Sequence, residues 1–409
     1  MKAALQLEAY AHSGIDAMGI GEADLALGVG WLSEQIQQHE LPYIASNLKC
    51  DGLTLPTGRV VQRGGVKLGF IAAVGPDNGA DCAVQSAVPA LKKAISALGE
   101  VDLLVLLSHQ GPKLDDGVAS ALPEIDLVVN GHGRKALKPP RVLPGGTVQL
   151  STGTRGKKLG IAQISLVPGA SGFVVTGQST QLETKISEAR SRIQRTEDRV
   201  ATARDEKQRE RTEKRLRRLQ GELSSLEADL EASKSAETAP HHTIENRLKP
   251  LNEDISDHQG VHTLVTAAKP KIDAAANVVP PPETKRSVFV GDKACLGCHA
   301  EQHAQWSTTP HSKAWATLVD VGRSGDLDCW SCHVTGAHHD DGPKHPSQVS
   351  GLENVGCESC HGPGAAHIRR PNVANIQRSP TVQTCTECHD GVKDEGRFEY
   401  ATYLSKVEH

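Results

Sequence analysis

Four copies of one five-residue pattern govern the last third of this chain. "CLGCH", "CWSCH", "CESCH" and "CTECH" pair Cys295 with Cys298, Cys329 with Cys332, Cys357 with Cys360 and Cys385 with Cys388, each pair followed at once by a histidine. From 10 cysteines and 19 histidines in 409 residues, chance supplies about 0.01 copies. No cysteine in this region is left over. A zinc ribbon pairs two C-x-x-C units but gives no reason for a histidine after every second cysteine. The pattern is the attachment signal of c-type haem. Two thioether bonds fix the ring edge, and the adjacent histidine reaches the iron from one face. His299, His333, His361 and His389 are the expected proximal ligands, and the expected cofactors are four covalently bound haem c groups.

Four haems between residues 288 and 409 leave little room for a protein core. The porphyrins are expected to supply much of it, which fits a chain with only 3% aromatic residues. The sixth iron position then decides function. A second histidine gives a low-spin haem suited to electron transfer, whereas an open position admits a small molecule.

Seven further histidines lie in this region: His303, His311, His338, His339, His345, His367 and His409. His311 sits in "QWSTTPHSKAW" between tryptophans that can pack on porphyrin. His409 ends "FEYATYLSKVEH", where an apolar segment delivers it. His338, His339 and His345 lie in a polar, Asp- and Gly-rich loop and are weaker distal candidates, and His303 can simply line a helix. His367 follows His361 by six residues in "GCESCHGPGAAHIRR". An extended chain of that length just spans from one porphyrin face to the other, but the Gly-Pro-Gly turn directs it elsewhere. His367 is therefore expected to ligate a neighbouring haem.

Residues 1–182 alternate helix-like and strand-like pieces. "KAALQLEAYAHSG" and "AVPALKKAISALG" read as helices with glycine stops. "VKLGFIAAVG", "VDLLVLLSHQG" and "IDLVVNGHG" read as buried strands, the last two ending in polar loops, as in an α/β layer with functional loops at the strands' carboxyl ends. "GTVQLSTG", "LGIAQISLV" and "GFVVTGQSTQLE" add further strands. Residues 183–236 are rich in charge and lack proline. Ile186, Ile193 and Val200 recur every seven residues, and Leu216, Leu219, Leu223, Leu226 and Leu230 follow a 3-4 spacing out of phase with them. This reads as a coiled-coil helical hairpin turning near 205–211, with one long dimerising helix as the alternative and self-association through it left open. Residues 237–287 are expected to hold one or two helices over 243–278 and then the stiff linker "NVVPPPETKRS". The fold class expected is multidomain: a layered α/β domain, a helical hairpin, and a mainly α or irregular multihaem domain over 288–409.

The motifs carry two resemblances. "CLGCH…W-x4-H-S-K-A", "LDCWSCHVTG", "GVGCESCHGPGAAH" and "TCTECH…F-x-Y-x3-L-x-K-V-x-H" resemble the tetrahaem cytochrome c family that takes electrons from hydroxylamine oxidation in nitrifiers. That resemblance implies closely stacked haems, mostly bis-histidine, with one haem in some members lacking a protein sixth ligand. It implies His311, His367 and His409 as distal ligands without saying which haem each serves.

"PYIASNL", "LVLLSHQG", "IDLVVNGHG" and "TGTRGKKLG" resemble the calcineurin-like metallophosphoesterases of the 5′-nucleotidase branch. Such enzymes hold two metal ions through Asp, His and Asn ligands, and the metals activate a water. The first Asp motifs of that family belong before Met1. Ile20 stands where its ligand Asn belongs, Gly21 where its catalytic His belongs, and Arg134 replaces its last histidine. His109 and His132 remain as a vestigial site. No dinuclear metal centre is expected, and phosphoesterase activity is expected to be lost.

Net charge is −4, so no global field favours nucleic acid or a membrane surface. No apolar run approaches a membrane-spanning length. "MKAALQLEAYAHSGID" is no secretory signal, because Gln6 and Glu8 interrupt any apolar stretch. As haem c is attached outside the cytoplasm, the expectation is a periplasmic or otherwise extracytoplasmic protein whose signal peptide is missing from this chain. Cys50 and Cys82 are either a disulfide or two buried apolar residues. The leading reading is an electron carrier for redox partner proteins. The alternatives are a multihaem oxidoreductase acting on a small nitrogen compound and a metal-dependent nucleotidase fused to a cytochrome.

Overall fold

The computed structural model describes residues 1–76, 82–133, 135–170, 172–203, 205–236, 238, 240–252, 254–275, 287–390, 394 and 397–409. They form two compact units, Tyr10–Ser256 and Met1–Ala9 with Asp257–His409. Most of the expected proline-rich linker, and Arg134, lie outside the described residues.

The first unit is built on a six-stranded sheet. Its order is Gly58–Arg63, Val66–Val74, Leu103–His109, Leu127–Asn130, Val148–Leu150, Arg141–Val142. The four middle strands run parallel, with Val74 opposite His109 and Ser108 opposite Asn130. Their Val- and Leu-rich runs are buried on both faces, as parallel strands require. On one face the helices Ala87–Leu98 and Pro112–Ala121 pack Leu91, Ala94, Val118 and Ala119 against Ile71, Leu104, Leu106 and Val128. On the other, Leu103, Val105, Leu127 and Val148 meet Phe173, Val175 and Ile244 of a second sheet. That sheet has the order Lys158–Ser165, His242–Pro250, Phe173–Val175.

The strand His242–Pro250 corrects the start of the one or two helices expected over 243–278. In "HTIENRLKP" Ile244, Asn246 and Leu248 turn inward while Glu245, Arg247 and Lys249 face solvent. That is a two-residue period, and pairing with Lys158–Ser165 enforces it. A helix does follow, at Gln259–Ala275. "GFVVTGQSTQLE" is a strand only over Phe173–Val175, and the helix Gln178–Ala201 starts within it. The charged segment forms the expected hairpin. Gln178–Ala201 lies antiparallel to Glu206–Ala236, shown by Ser179 beside Ser233, Lys234 beside Glu183 and Arg190 beside Glu227. Leu182, Ile186 and Leu219 are buried in its seam. The helices break just before the expected 205–211. By its contacts the hairpin belongs to the α/β unit, inserted between two strands of the second sheet.

A buried polar knot ties the carboxyl ends of the central strands together. Asp115 is fully buried. Its Oδ1 accepts from Ser108 Oγ (2.6 Å) and Gln110 Nε2 (3.1 Å). Its Oδ2 accepts from Asn130 Nδ2 (2.5 Å) and Gln149 Nε2 (2.7 Å). Burial pushes the Asp115 pKa up, against these four donors. Cys50 and Cys82 form a disulfide between the paired strands Leu48–Cys50 and Cys82–Val84.

In the second unit the helix Gln259–Ala275 is followed, from residue 288 on, by short helices and loops. Its protein core is small: Phe289, Leu318, Trp330, Val334, Val349 and Leu352. Replacing Asp115 by alanine strands four buried donors at once. It is expected to lower stability by about 3 kcal/mol or more, read as a fall in the urea midpoint; a change within error would remove the knot's structural role.

Candidate functional site

In a helical turn, positions i, i+3 and i+4 share one face, so C-x-x-C-H presents two thiols and an imidazole together. "CWSCH" and "CESCH" lie in the helices Leu327–His333 and Cys357–His361. None of the eight cysteines is in a disulfide.

Three of the four proximal histidines face a second histidine from a distant segment. His299 lies opposite His367 with ring centres 6.4 Å apart, His389 opposite His311 at 6.3 Å, and His361 opposite His409 at 5.8 Å. Two metal–nitrogen bonds of about 2 Å, plus roughly 1 Å from each nitrogen to its ring centre, set the rings of a bis-imidazole iron about 6 Å apart. The residues present therefore fit an iron between each pair.

The other ring nitrogens support this. His361 Nδ1 donates to Gln377 O (2.7 Å), His333 Nδ1 to Ala314 O (2.6 Å), His367 Nδ1 to Asn372 O (3.1 Å) and His409 Nδ1 to Val407 O (3.1 Å). A carbonyl can only accept, so Nδ1 carries the proton and Nε2 is left as the metal-binding nitrogen. Burial, with His389 nearby, pushes the His311 pKa down, favouring the neutral ring a metal needs. His311 is held where the tryptophan-flanked segment doubles back: Val355 N donates to its carbonyl (3.1 Å), and Trp306 Nε1 donates to Val355 O (2.9 Å).

His333 differs. Among the described residues its contacts are Ala314 O and Thr317 Oγ1 (3.4 Å), with no second imidazole across from it. The remaining candidates are engaged elsewhere. His303 Nε2 contacts Asp292 at 3.0 Å on the helix Ala300–Ser307, as a helix-lining histidine. His338 Nε2 lies 3.8 Å from Cys388 Sγ, in a cluster with Cys332, and is not set against a proximal ring. His345 Nδ1 accepts from Ser347 N (3.2 Å), which puts its proton on Nε2, the wrong tautomer for ligation through that atom. His339 packs on Phe289.

Different motifs also lie side by side. Cys295 interacts with Cys357, the helix Cys357–His361 packs on the helix Val382–Thr386, and Cys332 shares a cluster with Cys388 and His338. The first motif thus adjoins the third, the third the fourth, and the fourth the second.

In the α/β unit, His109 ends the strand Leu103–His109 and His132 follows the strand Leu127–Asn130. Their rings meet edge to face at 5.1 Å. The residue that completes this group is Glu22, which the motif comparison passes over. Its carboxylate lies 2.8 Å from His109 Nε2 and 3.9 Å from His132 Nδ1. Gly21 makes this possible, because a Cβ there would sit 3.1 Å from the His109 ring. Ile20 is 1% exposed and points into the core. Neither position offers a donor to the site. Among the described residues, one carboxylate and two imidazoles group together here, a ligand set suited to one cation.

Residues 294–362 match the family profile described as cytochrome c554 and c-prime, which takes in the first three motifs. An uncharacterised metallophosphoesterase of Bacillus subtilis (strain 168), YunD, is 29% identical over 142 residues, 32% of this chain and 31% of that protein. A 5′-nucleotidase of Mus musculus is 25% identical over 154 residues, 32% of this chain and 27% of that protein. The chain spans less than a third of the length of either curated relative. Among solved structures, a putative 5′-nucleotidase from Staphylococcus aureus is 14% identical, covering 77% of this chain and 51% of that one at a TM-score of 0.40. A 5′-nucleotidase precursor from Thermus thermophilus is 21% identical, covering 41% and 38% at a TM-score of 0.37. The carboxyl-terminal region is thus cytochrome c554-like, and the amino-terminal region is metallophosphoesterase-like.

Calorimetric titration of the holoprotein with manganese is expected to show at most one ion held through Glu22, His109 and His132. Glu22→Gln and His132→Ala should each abolish that ion. Two ions of similar affinity, both lost in these variants, would contradict the single-cation geometry.

Proposed function

We propose that this chain is an extracytoplasmic multihaem cytochrome that transfers electrons between redox partner proteins. The observation that carries the reading is the set of three imidazole pairs at iron-spanning distance, each joining a proximal histidine to a distal one far away in sequence. On this reading His367, His311 and His409 are the distal ligands of the first, fourth and third motifs. When bound, the haem irons supply the one-electron Fe(III)/Fe(II) change. The chain supplies attachment, axial nitrogens and spacing. The contacts between motifs favour a spatial order of first, third, fourth, second motif.

The Cys50–Cys82 disulfide supports an oxidising compartment. No helix among the described residues is long and apolar enough to cross a membrane. The α/β domain serves as a non-hydrolytic scaffold or docking surface, carrying the helical hairpin. That reading rests on Ile20 and Gly21, which bring no ligand and no catalytic imidazole to the place where the resemblance requires them.

His333 supports a second reading. With no imidazole opposite it, its iron would keep an open face, the requirement for an oxidoreductase acting on a small nitrogen compound. Haem content and spin state test both readings. The holoprotein should contain four haems by pyridine haemochrome, and reduction under carbon monoxide should shift the absorption of one. His311→Ala, His367→Ala and His409→Ala should each add one more carbon monoxide-binding haem. No reactive haem in the parent protein would remove the second reading. No gain in the variants would remove the ligand assignment.

A further inference from the structure

Glu358 is the second residue of "CESCH", a position the attachment signal leaves free. Yet its side chain is 3% exposed, and its carboxylate has no cationic partner among the described contacts. It accepts instead from three backbone N–H groups. Oε1 takes Gly364 N at 2.6 Å and Val290 N at 3.1 Å. Oε2 takes Gly291 N at 2.8 Å and Val290 N at 3.0 Å. A buried carboxylate is costly unless its oxygens are filled this way.

These three amides belong to two segments. Val290 and Gly291 lead directly into the first motif: Gly291 O accepts from Ala294 N (3.2 Å), and Cys295 N bonds Asp292 O (3.0 Å). Gly364 opens the short helix Ala365–Arg369, which carries His367. A further bond, Ala365 N to Val288 O at 3.1 Å, runs beside the clamp. The carboxylate sits on the helix Cys357–His361, which holds the third motif. One side chain therefore joins the helix of one haem site to both halves of another: the segment that leads to His299 and the segment that delivers His367.

We propose that Glu358 is a positioning residue that holds His367 opposite His299, so that the third motif sets the axial ligation of the first haem. The proposal rests on the ligand assignment above. Oε1 alone holds Gly364 on the His367 side, Oε2 alone holds Gly291 on the His299 side, and Val290 N is shared between them. Glutamine can keep only one of them as an acceptor, because its amide nitrogen would face N–H donors. Whichever way it turns, either Gly364 N or Gly291 N loses its acceptor and the clamp is weakened on that side. Aspartate is one methylene shorter and cannot reach all three amides from the same backbone.

The test compares Glu358→Gln with His367→Ala and with Val349→Ala, a substitution in the small core of the same unit. Each holoprotein is assayed for haem content and for the number of haems that bind carbon monoxide when reduced. Glu358→Gln should keep four haems and gain up to one carbon monoxide-binding haem, with the band position of His367→Ala. Val349→Ala should lower the unfolding midpoint and leave the spin states unchanged. Where Glu358→Gln does not accumulate, Gly364→Ala puts a methyl 3.0 Å from Oε1 and should give a smaller fraction of the same species. If His367→Ala gains a reactive haem while Glu358→Gln and Gly364→Ala match the parent, the positioning role is overturned. If His367→Ala gains none, the ligand assignment fails and the proposal fails with it. An equal gain in Val349→Ala would reduce Glu358 to a general stabilising contact and also overturn it.

Discussion

The carboxyl-terminal unit depends on a distance of about 6 Å between imidazoles that are far apart in sequence. Among the described residues its buried apolar cluster is six residues, small for a region over 288–409 whose helices are five to eight residues long. On the proposed ligation, coordination across each histidine pair would act as a long-range cross-link. It joins residue 299 to 367, 311 to 389 and 361 to 409, so nearly the whole unit is spanned by three such ties. Each tie closes a long loop, and loop closure of this kind limits the disorder of the unfolded chain as a disulfide does. On the same reading the second motif is tied from one side only, through His333, and its segment contributes Trp330 and Val334 to the apolar core.

The parts that are legible in sequence are those with a local rule. C-x-x-C-H is a five-residue signal, and the strands ending at His109 and Asn130 are unbroken apolar runs. The helical hairpin fits two leucine and isoleucine repeats that are out of phase, although the repeats alone also allow one long helix. Pairing of distal histidines is a tertiary fact. Context in sequence singles out His311, His367 and His409, but only the folded chain sets each against a particular partner. His367 lies opposite His299 of the first motif. His303 and His338, reasonable by proximity, are instead held by Asp292 and by the sulfur cluster.

Two features escape the sequence for physical reasons. The apolar spacing of residues 242–250 suits a helix, although the same residues alternate in and out once a sheet edge is available to pair with them. Glu22 escapes because comparison by motif directs attention to the positions of Ile20 and Gly21. The next residue along, Glu22, supplies the carboxylate, and Gly21 lets the His109 ring lie close against the backbone beside it. The α/β unit thus keeps its strand-end geometry, secured by the buried Asp115 knot, and among the described residues one carboxylate and two imidazoles gather at those ends.

The central claim is that distal ligands are exchanged between motifs. A crystal structure of the holoprotein, with iron sites located by anomalous scattering, tests it most directly. The account predicts His367 Nε2 bound to the iron of the haem attached at Cys295 and Cys298. Finding His367 on the haem attached at Cys357 and Cys360, or on no iron at all, would contradict it.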